Sequence, residues 1–379
     1  MAARLDPPPD FRTLFQRDPD VSAEAHGRVN LIGEHTDYNG GLVLPVLVPQ
    51  RTRVELARRD DGRVRVWSAG FSAGTAPAGF DLGDETPGRG WLDYVQGVTT
   101  VLRPLGPLGG ADLRLASDVP AGAGLASSAA LMVALLRAMR DAWRLDLDDV
   151  TLAKAAQRAE REFVGAPVGI MDQMAASLGR VGAALLIDTR TLDAAIVPLP
   201  PDGELVVIDS GVTHRHAAGE YRTRRAECER AASLLGVEDL GRLTRDDLPR
   251  LRVLPPPLDR RARHVVTDSA RVRDTADALR SEDLVGVGAL FAASHASMRD
   301  DFEISTPEID ALVEAASADA DVFGARLTGG GFGGAIVALA RAGSAGAAAK
   351  RIVRAYGARV GRQAVALVPR PETSGDLGH

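Results

Sequence analysis

The chain has 379 residues and a formal net charge of −6, with 45 lysines and arginines against 51 aspartates and glutamates. A net negative balance argues against nucleic acid or an anionic membrane as the main partner, while leaving room for a local basic pocket. At this length two domains with separate cores are expected, and hydrophobic residues at 45% with charged ones at 25% describe a soluble globular chain. The start, Met1 to Phe15, lacks a signal-peptide apolar run, and no segment is apolar for long enough to span a membrane. The single cysteine, Cys228, cannot form an internal disulfide, so the reading is a protein of the reducing cytoplasm.

In chain order, a short helix is expected over Asp10 to Phe15, after the prolines 7–9. The stretch from Ala25 to Gly41 starts as an apolar strand and turns abruptly polar: Glu34, His35, Thr36, Asp37 and Asn39 lie between glycines. Leu42 to Val48 then resumes a buried run, which pins the polar cluster between two core segments, where rigid binding loops are placed. Val54 and Leu56, the turn Asp60-Asp61-Gly62, and Val64 and Val66 predict a hairpin. A helix is predicted from Trp91, and Leu113 with Leu115 marks a short strand.

That strand feeds Ser117-Asp118-Val119-Pro120-Ala121-Gly122-Ala123-Gly124-Leu125-Ala126-Ser127-Ser128, after which Leu125, Ala129, Met132, Val133, Leu136, Met139 and Trp143 recur at helical spacing. Ser127 and Ser128 are positioned to cap the helix. A glycine loop at a helix N-terminus presents unpaired N–H groups and the positive end of the helix dipole, which suit a phosphate; a plain glycine turn ahead of a buried helix is the alternative. The chain's two lysines, Lys154 and Lys350, are not followed by Ser or Thr, so a G-x-x-x-x-G-K-S/T loop is absent. The dinucleotide fingerprint fails for want of its third glycine.

Leu147 to Phe163 is predicted helical and stops at Gly165-Ala166-Pro167, with Asp172 at the start of the next helix. Residues 184–188 and 195–198 read as paired strands, and Pro198 to Gly203 as a domain boundary, giving domains 1–197 and 198–379. Further on come a strand over 205–209, a charged helix from Tyr221, helices through much of 259–318, and the glycines 329–334 ahead of an apolar strand at 335–339.

The segments Gly27 to Gly41, Val119 to Ala130 and Thr328 to Gly334 resemble, in order, the three motifs of the GHMP small-molecule kinases. The first, GRVNLIGEHTDYNGG, is similar to the galactokinase signature. The resemblance implies an α+β fold of two domains with the active site in the cleft between them, and transfer of the γ-phosphate of MgATP to the anomeric hydroxyl of α-galactose. Carried over by position, Gly122, Ala123, Gly124, Leu125, Ala126, Ser127 and Ser128 would wrap the ATP phosphates, and Ser128 with Glu160 would reach Mg2+. Two protein oxygens suffice for an ion that keeps several waters.

Asp172 matches the family's catalytic aspartate and Arg28 its paired arginine. Arginine supplies fixed donors for the negative charge of a largely dissociative transition state, and its closeness to an aspartate favours the ionised form. Sugar recognition would fall to Glu34, His35, Asp37, Gly169 and Tyr221. His26, Ala126 and Val168 depart from the family's usual proline, serine and cysteine. A kinase for a related sugar would share every phosphate-side residue, and a silent galactose and ATP sensor is the reading from a different class. The expected partners are galactose and ATP, with no nucleic acid, no membrane, and the chain acting as a monomer.

Overall fold

Alternating apolar residues build the strands, and in this computed structural model they are followed through residues 8–72, 74–213 and 217–368. Pro7 of the proline run lies outside the described residues. By its internal contacts the chain forms two compact units, one from residues 1–27 and 49–178 and the other from residues 28–48 and 179–379. The expected cut between 197 and 198 falls inside the second of these units.

In the first unit a short helix, α1 (Phe11–Phe15), is capped by Asp10, whose side chain accepts from Thr13 N. Strand β1 (Val21–Asn30) runs from this unit into the other; β2 (Leu42–Val43) lies wholly in the second unit, and β3 (Pro45–Arg58) returns to the first. Strands β4 (Arg63–Ser68) and β5 (Ala78–Asp81) and helix α2 (Leu92–Leu102) follow, then β6 (Ala111–Ser117).

The predicted hairpin between β3 and β4 does not form. Strand β6 lies between them, antiparallel to β3 with Leu56 opposite Leu113 and parallel to β4 with Val66 opposite Leu113. The cause is at the turn. Gly110 N donates to Asp61 O and Arg59 N to Gly110 O, each at 2.8 Å. A Cβ on Gly110 would stand 2.4 Å from Asp61 O, so only glycine lets β6 start against that turn. Asp112, beside it and 1% exposed, accepts from Arg65 Nε at 2.6 Å and Nη2 at 2.8 Å, which locks the strand order with a bidentate pair.

The long helix α3 (Ser127–Trp143) lays Met132, Val133, Leu136 and Met139 into this unit's core, with Val54, Leu56, Val64, Val66, Leu113 and Leu115 of the strands. Helix α4 (Asp149–Arg158) starts on Asp148, which accepts from Thr151 N at 2.6 Å. It then widens into a π turn over Ala159–Val164, closed by Gly165 at φ +82°. Helix α5 (Met171–Leu178) ends the unit, its Ser177 carbonyl bound by Arg137 Nη2 at 2.7 Å.

The second unit pairs β7 (Ala183–Asp188) with β8 (Ala194–Pro198), as the sequence predicts, and with β2. Its other sheet runs β10-β11-β9-β12, from β9 (Gly203–Thr213), β10 (Val322–Thr328), β11 (Gly333–Arg341) and β12 (Val365–Val368). Helices α6 (Ala217–Leu235), α7 (Leu258–Arg280), α8 (Leu284–Asp300), α9 (Pro307–Ser317) and α10 (Ala345–Val360) complete it. Its core joins Val206 and Ile208 with Leu327 and Ile336 of the sheet and with Val265, Met298, Leu312 and Ile352 of the helices. The architecture is α+β. Among the described residues no helix is long and apolar enough to cross a membrane.

Candidate active site

The polar cluster of the first motif belongs to the second unit, and the chain there is bent by local demands. Gly33 adopts φ +102°, and a Cβ on it would meet Leu42 O at 2.6 Å. Thr36 Oγ1 lies 2.7 Å from both Gly33 O and Leu42 O, so its one proton ties the bend to β2. A single 3₁₀ turn over Asp37–Asn39 follows, and Asn39 Nδ2 donates to His35 O at 2.7 Å. His35 itself sits at φ +62°. A left-handed residue that is not glycine costs about 1–2 kcal/mol, a strain that gathers at functional sites.

His35 is 5% exposed and held at both ring nitrogens. Nε2 lies 3.1 Å from Gly330 O, which only accepts, so Nε2 carries the proton. Nδ1 therefore accepts from the Tyr38 hydroxyl at 2.7 Å. Burial lowers its pKa to about 3, against the pull of the Gly330 carbonyl, so the ring is neutral. Tyr221 and Phe302 pack on it with ring centres 4.9 Å away, and Tyr38 and Tyr221 meet at 5.5 Å. Burial raises the Tyr38 hydroxyl well above its ordinary value, keeping it a donor.

Glu34 is 2% exposed. Its Oε1 is 3.1 Å from Thr328 Oγ1 and 3.1 Å from Gly329 N, and its Oε2 faces the Arg326 guanidinium as an ion pair. Burial raises its carboxyl above the ordinary value, with Arg326 opposing and Asp268 adding to the rise. Its main-chain oxygen accepts from His264 Nε2 at 3.1 Å. The structure thus brings Glu34, His35 and Tyr221 together with the glycine turn that follows β10. Asp37, half-buried, opens the 3₁₀ turn beside Tyr38, and Arg28 is buried on β1 in the same unit.

The phosphate-loop residues, Glu160, Gly169 and Asp172 lie in the first unit. Gly122 and Gly124 take φ +74° and +75°, and a Cβ on either would meet nothing within 4 Å, so the loop's backbone is open. The serines do not cap α3. Its N-cap is Ala126, at φ +56°, with no side-chain cap bond, and Ser127 and Ser128 are its first two residues. The left-handed Ala126 brings the chain into the helix, so the hydroxyls stay half-buried in the first turn and do not fold back on the backbone.

Glu160, 4% exposed, lies in the π turn, a widening that often marks functional sites, and accepts from Gln173 Nε2 at 2.7 Å. Gln173 follows Asp172, which lies half-buried in the first turn of α5. Burial also raises the Tyr94 hydroxyl, and the Glu160 charge adds to it.

Sequence reasoning missed Gln173, Tyr38, His264, Arg326 and Thr328 as partners of these residues. For Gln173 the signal was its place beside Asp172, and for Arg326 it was its alternation with Thr328, the first residue of the third motif. Cys228 is fully buried and its thiol pushed up to about 12 by that burial, so it is no nucleophile.

This fold and these two residue sets define a kinase of the GHMP class. Residues 93–180 match the model of the GHMP kinases N terminal domain, residues 275–359 that of GHMP kinases C terminal, and residues 9–58 the galactokinase galactose-binding signature. A galactokinase of Streptomyces coelicolor is 45% identical over 357 residues, covering 92% of each chain. One of Chloroflexus aurantiacus is 45% identical over 370 residues, covering 94% of this chain and 93% of its own. The crystal structure of Lactococcus lactis galactokinase complexed with galactose superposes with a TM-score of 0.87 at 32% identity, over 94% of this chain and 95% of that one. Mevalonate kinase from L. major shares the fold alone, with a TM-score of 0.61 at 21% identity. The chain belongs to the galactokinase family.

Proposed function

We propose that the protein transfers the γ-phosphate of MgATP to the anomeric hydroxyl of α-D-galactose, giving galactose 1-phosphate and ADP. The observation that carries this reading is the polar cluster of Glu34, His35 and Tyr38, set within the stretch that matches the galactose-binding signature, with Tyr221 packed on the His35 ring. A sugar needs acceptors for its vicinal hydroxyls and an aromatic face for its carbon-bound hydrogens, and both are present. Such a site rejects an analogue lacking one hydroxyl, because the buried acceptor is left unpaired.

Each residue then has a task. Glu34, His35, Asp37, Tyr221 and the main chain at Gly169 hold the sugar. The loop 122–128 offers its N–H groups to the ATP phosphates. Ser128 and Glu160 would hold Mg2+; both offer hard oxygens, and Gln173 already fixes one oxygen of the Glu160 carboxylate. Among the described residues no set of three or more His, Cys, Asp or Glu side chains is grouped to hold a metal, and magnesium on a nucleotide does not need one. Held there, Mg2+ would supply positive charge against the negative charge that develops on the transferring phosphoryl group. Asp172 accepts the proton of the anomeric hydroxyl or orients that hydroxyl, and Arg28 offsets the negative charge of the transition state.

The test is a coupled ADP-release assay over a panel of hexoses, with and without magnesium, beside calorimetry of sugar and nucleotide binding. Galactose should be the preferred acceptor. Asp172→Asn, which keeps the shape and removes the charge, should lower turnover by at least about a hundredfold while both ligands still bind. A wild type that binds galactose with ATP and phosphorylates no sugar would leave the sensor reading standing.

A further inference from the structure

We propose that Arg326 is a positioning residue for sugar recognition, one that fixes Glu34 as a charged acceptor although it touches no ligand itself. The proposal rests on the assignment of Glu34 to the sugar. Arg326 is 0% exposed, an unusual place for a guanidinium, and its contacts explain it. Nη1 donates to Leu31 O at 2.6 Å, at the base of the sugar loop; Nη2 lies 3.2 Å from Met298 Sδ and pairs with Glu34 Oε2.

The spacing on β10 is what makes this a device. Side chains two apart on a strand share a face, so Arg326 and Thr328 approach Glu34 from one side, and Gly329 adds its N–H where the strand ends. Arg326 and the Gly329 N–H thus converge on one carboxylate, beside the Thr328 hydroxyl whose single proton is shared between Glu34 Oε1 and Asn30 O at 2.9 Å, while His264 on α7 holds the Glu34 main-chain oxygen. With the backbone and both oxygens pinned, the direction in which Glu34 can accept another hydrogen bond is set before a ligand arrives. That lowers the ordering cost of binding.

The charge matters as well as the position. Facing the pair are His264 and Asp268 on α7 and His295 on α8, with His35 next to Glu34 in the chain. Burial lowers His264 and His295, so both are neutral at pH 7. Burial would raise Asp268, but the Arg271 and Arg326 charges and the Ser294 hydrogen bond help hold it below its ordinary value, so Asp268 stays ionised and disfavours charge on Glu34. Arg326 is therefore the cation that opposes the rise that burial imposes on the Glu34 carboxyl. Without it the carboxyl takes up a proton at a higher pH, becomes a donor on one oxygen, and serves a sugar hydroxyl poorly.

The experiment compares wild type with R326Q, R326K, E34Q and E34Q/R326Q, reading KM and kcat for each substrate, the pH profile of kcat/KM, and galactose affinity by calorimetry. R326Q should raise the galactose KM roughly tenfold or more and leave the ATP KM within about twofold. The acid limb of its kcat/KM for galactose should move up by about one pH unit. R326K should recover part of both. In the E34Q background, R326Q should add less than about twofold, because the route to the sugar is already cut.

Equal losses for galactose and ATP, an unmoved acid limb, or the full R326Q penalty on top of E34Q would each overturn the proposal. If R326Q gives no folded protein, R326K and the double variant carry the test, since E34Q/R326Q leaves no lone buried charge. A double variant about tenfold weaker on galactose than E34Q then overturns it. Should wild type reject galactose and accept another sugar, the assignment of galactose falls, and the Arg326 link is judged by the same ratios on that sugar.

Discussion

At His35 the surroundings decide the protonation state. Held between a carbonyl and a tyrosine hydroxyl, with its pKa lowered to about 3 by burial, the ring stays neutral in the folded protein while an unfolded histidine titrates near 6.5. As the pH falls below that unfolded value, the unfolded chain binds a proton that the folded one refuses, so stability is lost on the acid side until the folded pKa is reached. Between pH 7 and pH 5 this one group should cost about 2 kcal/mol. His264 and His295, also lowered by burial, add in the same direction, and the raised carboxyl of Glu34 works against them. Denaturant unfolding at several pH values tests it: His35→Gln should flatten the slope between pH 7 and pH 5, whatever it does to stability at pH 7. An unchanged slope would mean the ring is not held neutral. Gln173 shows a plainer case of one side chain setting another, since its amide leaves the Glu160 carboxylate one fewer orientation to search.

The elements proposed to carry chemistry have ends that break the usual rules. Helix α3 begins on a left-handed alanine with no capping side chain, and α4 opens into a π turn at Glu160. Each departure turns a main-chain or side-chain group that a regular helix would occupy internally. At Ala126 the cost should be measurable. Glycine takes φ +56° without strain, so Ala126→Gly should stabilise the protein by up to about 1 kcal/mol, and the hydroxyls of Ser127 and Ser128 should keep their places. Thermal unfolding checks the first part and the ATP KM the second. A destabilised variant would mean that the Ala126 methyl makes packing contacts worth more than the strain. The glycine turn after β10 obeys the same logic in reverse. Gly331 is at φ +80°, with Ile304 atoms 2.6 Å and 2.7 Å from where a Cβ would stand, so backbone must pass where no side chain fits.

For the whole molecule, the chain has two separate cores, and most of the residues proposed for the sugar belong to a different unit from those proposed for the phosphates. Galactose at a hundred times its dissociation constant should stabilise the folded protein by about 2.7 kcal/mol through mass action. Hydrogen exchange should show where that stabilisation falls. Protection is expected at residues 28–48 and along 326–334, where Glu34 and His35 meet Thr328, Gly329 and Gly330. The strands around Val54 and Leu113 should change far less. Protection confined to α3 and α4 would remove the sugar from the Glu34 cluster.

What the sequence determined by itself was local. The helical spacing from Leu125 to Trp143, the stop at Gly165, the pairing of 184–188 with 195–198, and the polar stretch 34–39 between buried runs follow from neighbours a few residues apart. The three glycine-bearing motifs, read together, pointed to the family. Hydrophobic period and turn chemistry act over that range, so they leave their mark in the order of residues. What only the tertiary structure decided was which distant segments meet. Alternation in 54–56 and 64–66 is the same whether those strands pair or admit a third, and the third was admitted by a glycine at 110. Serines at 127 and 128 look like caps until the chain's entry angle is known. Glu34 reads as one acid of a polar stretch pinned between two buried runs, with no sign of its partners. It is buried because Thr328, 294 residues away, and Arg326 bring it hydrogen-bonding and charged partners. Burial of a charge is a property of its surroundings, and those are assembled from the whole chain.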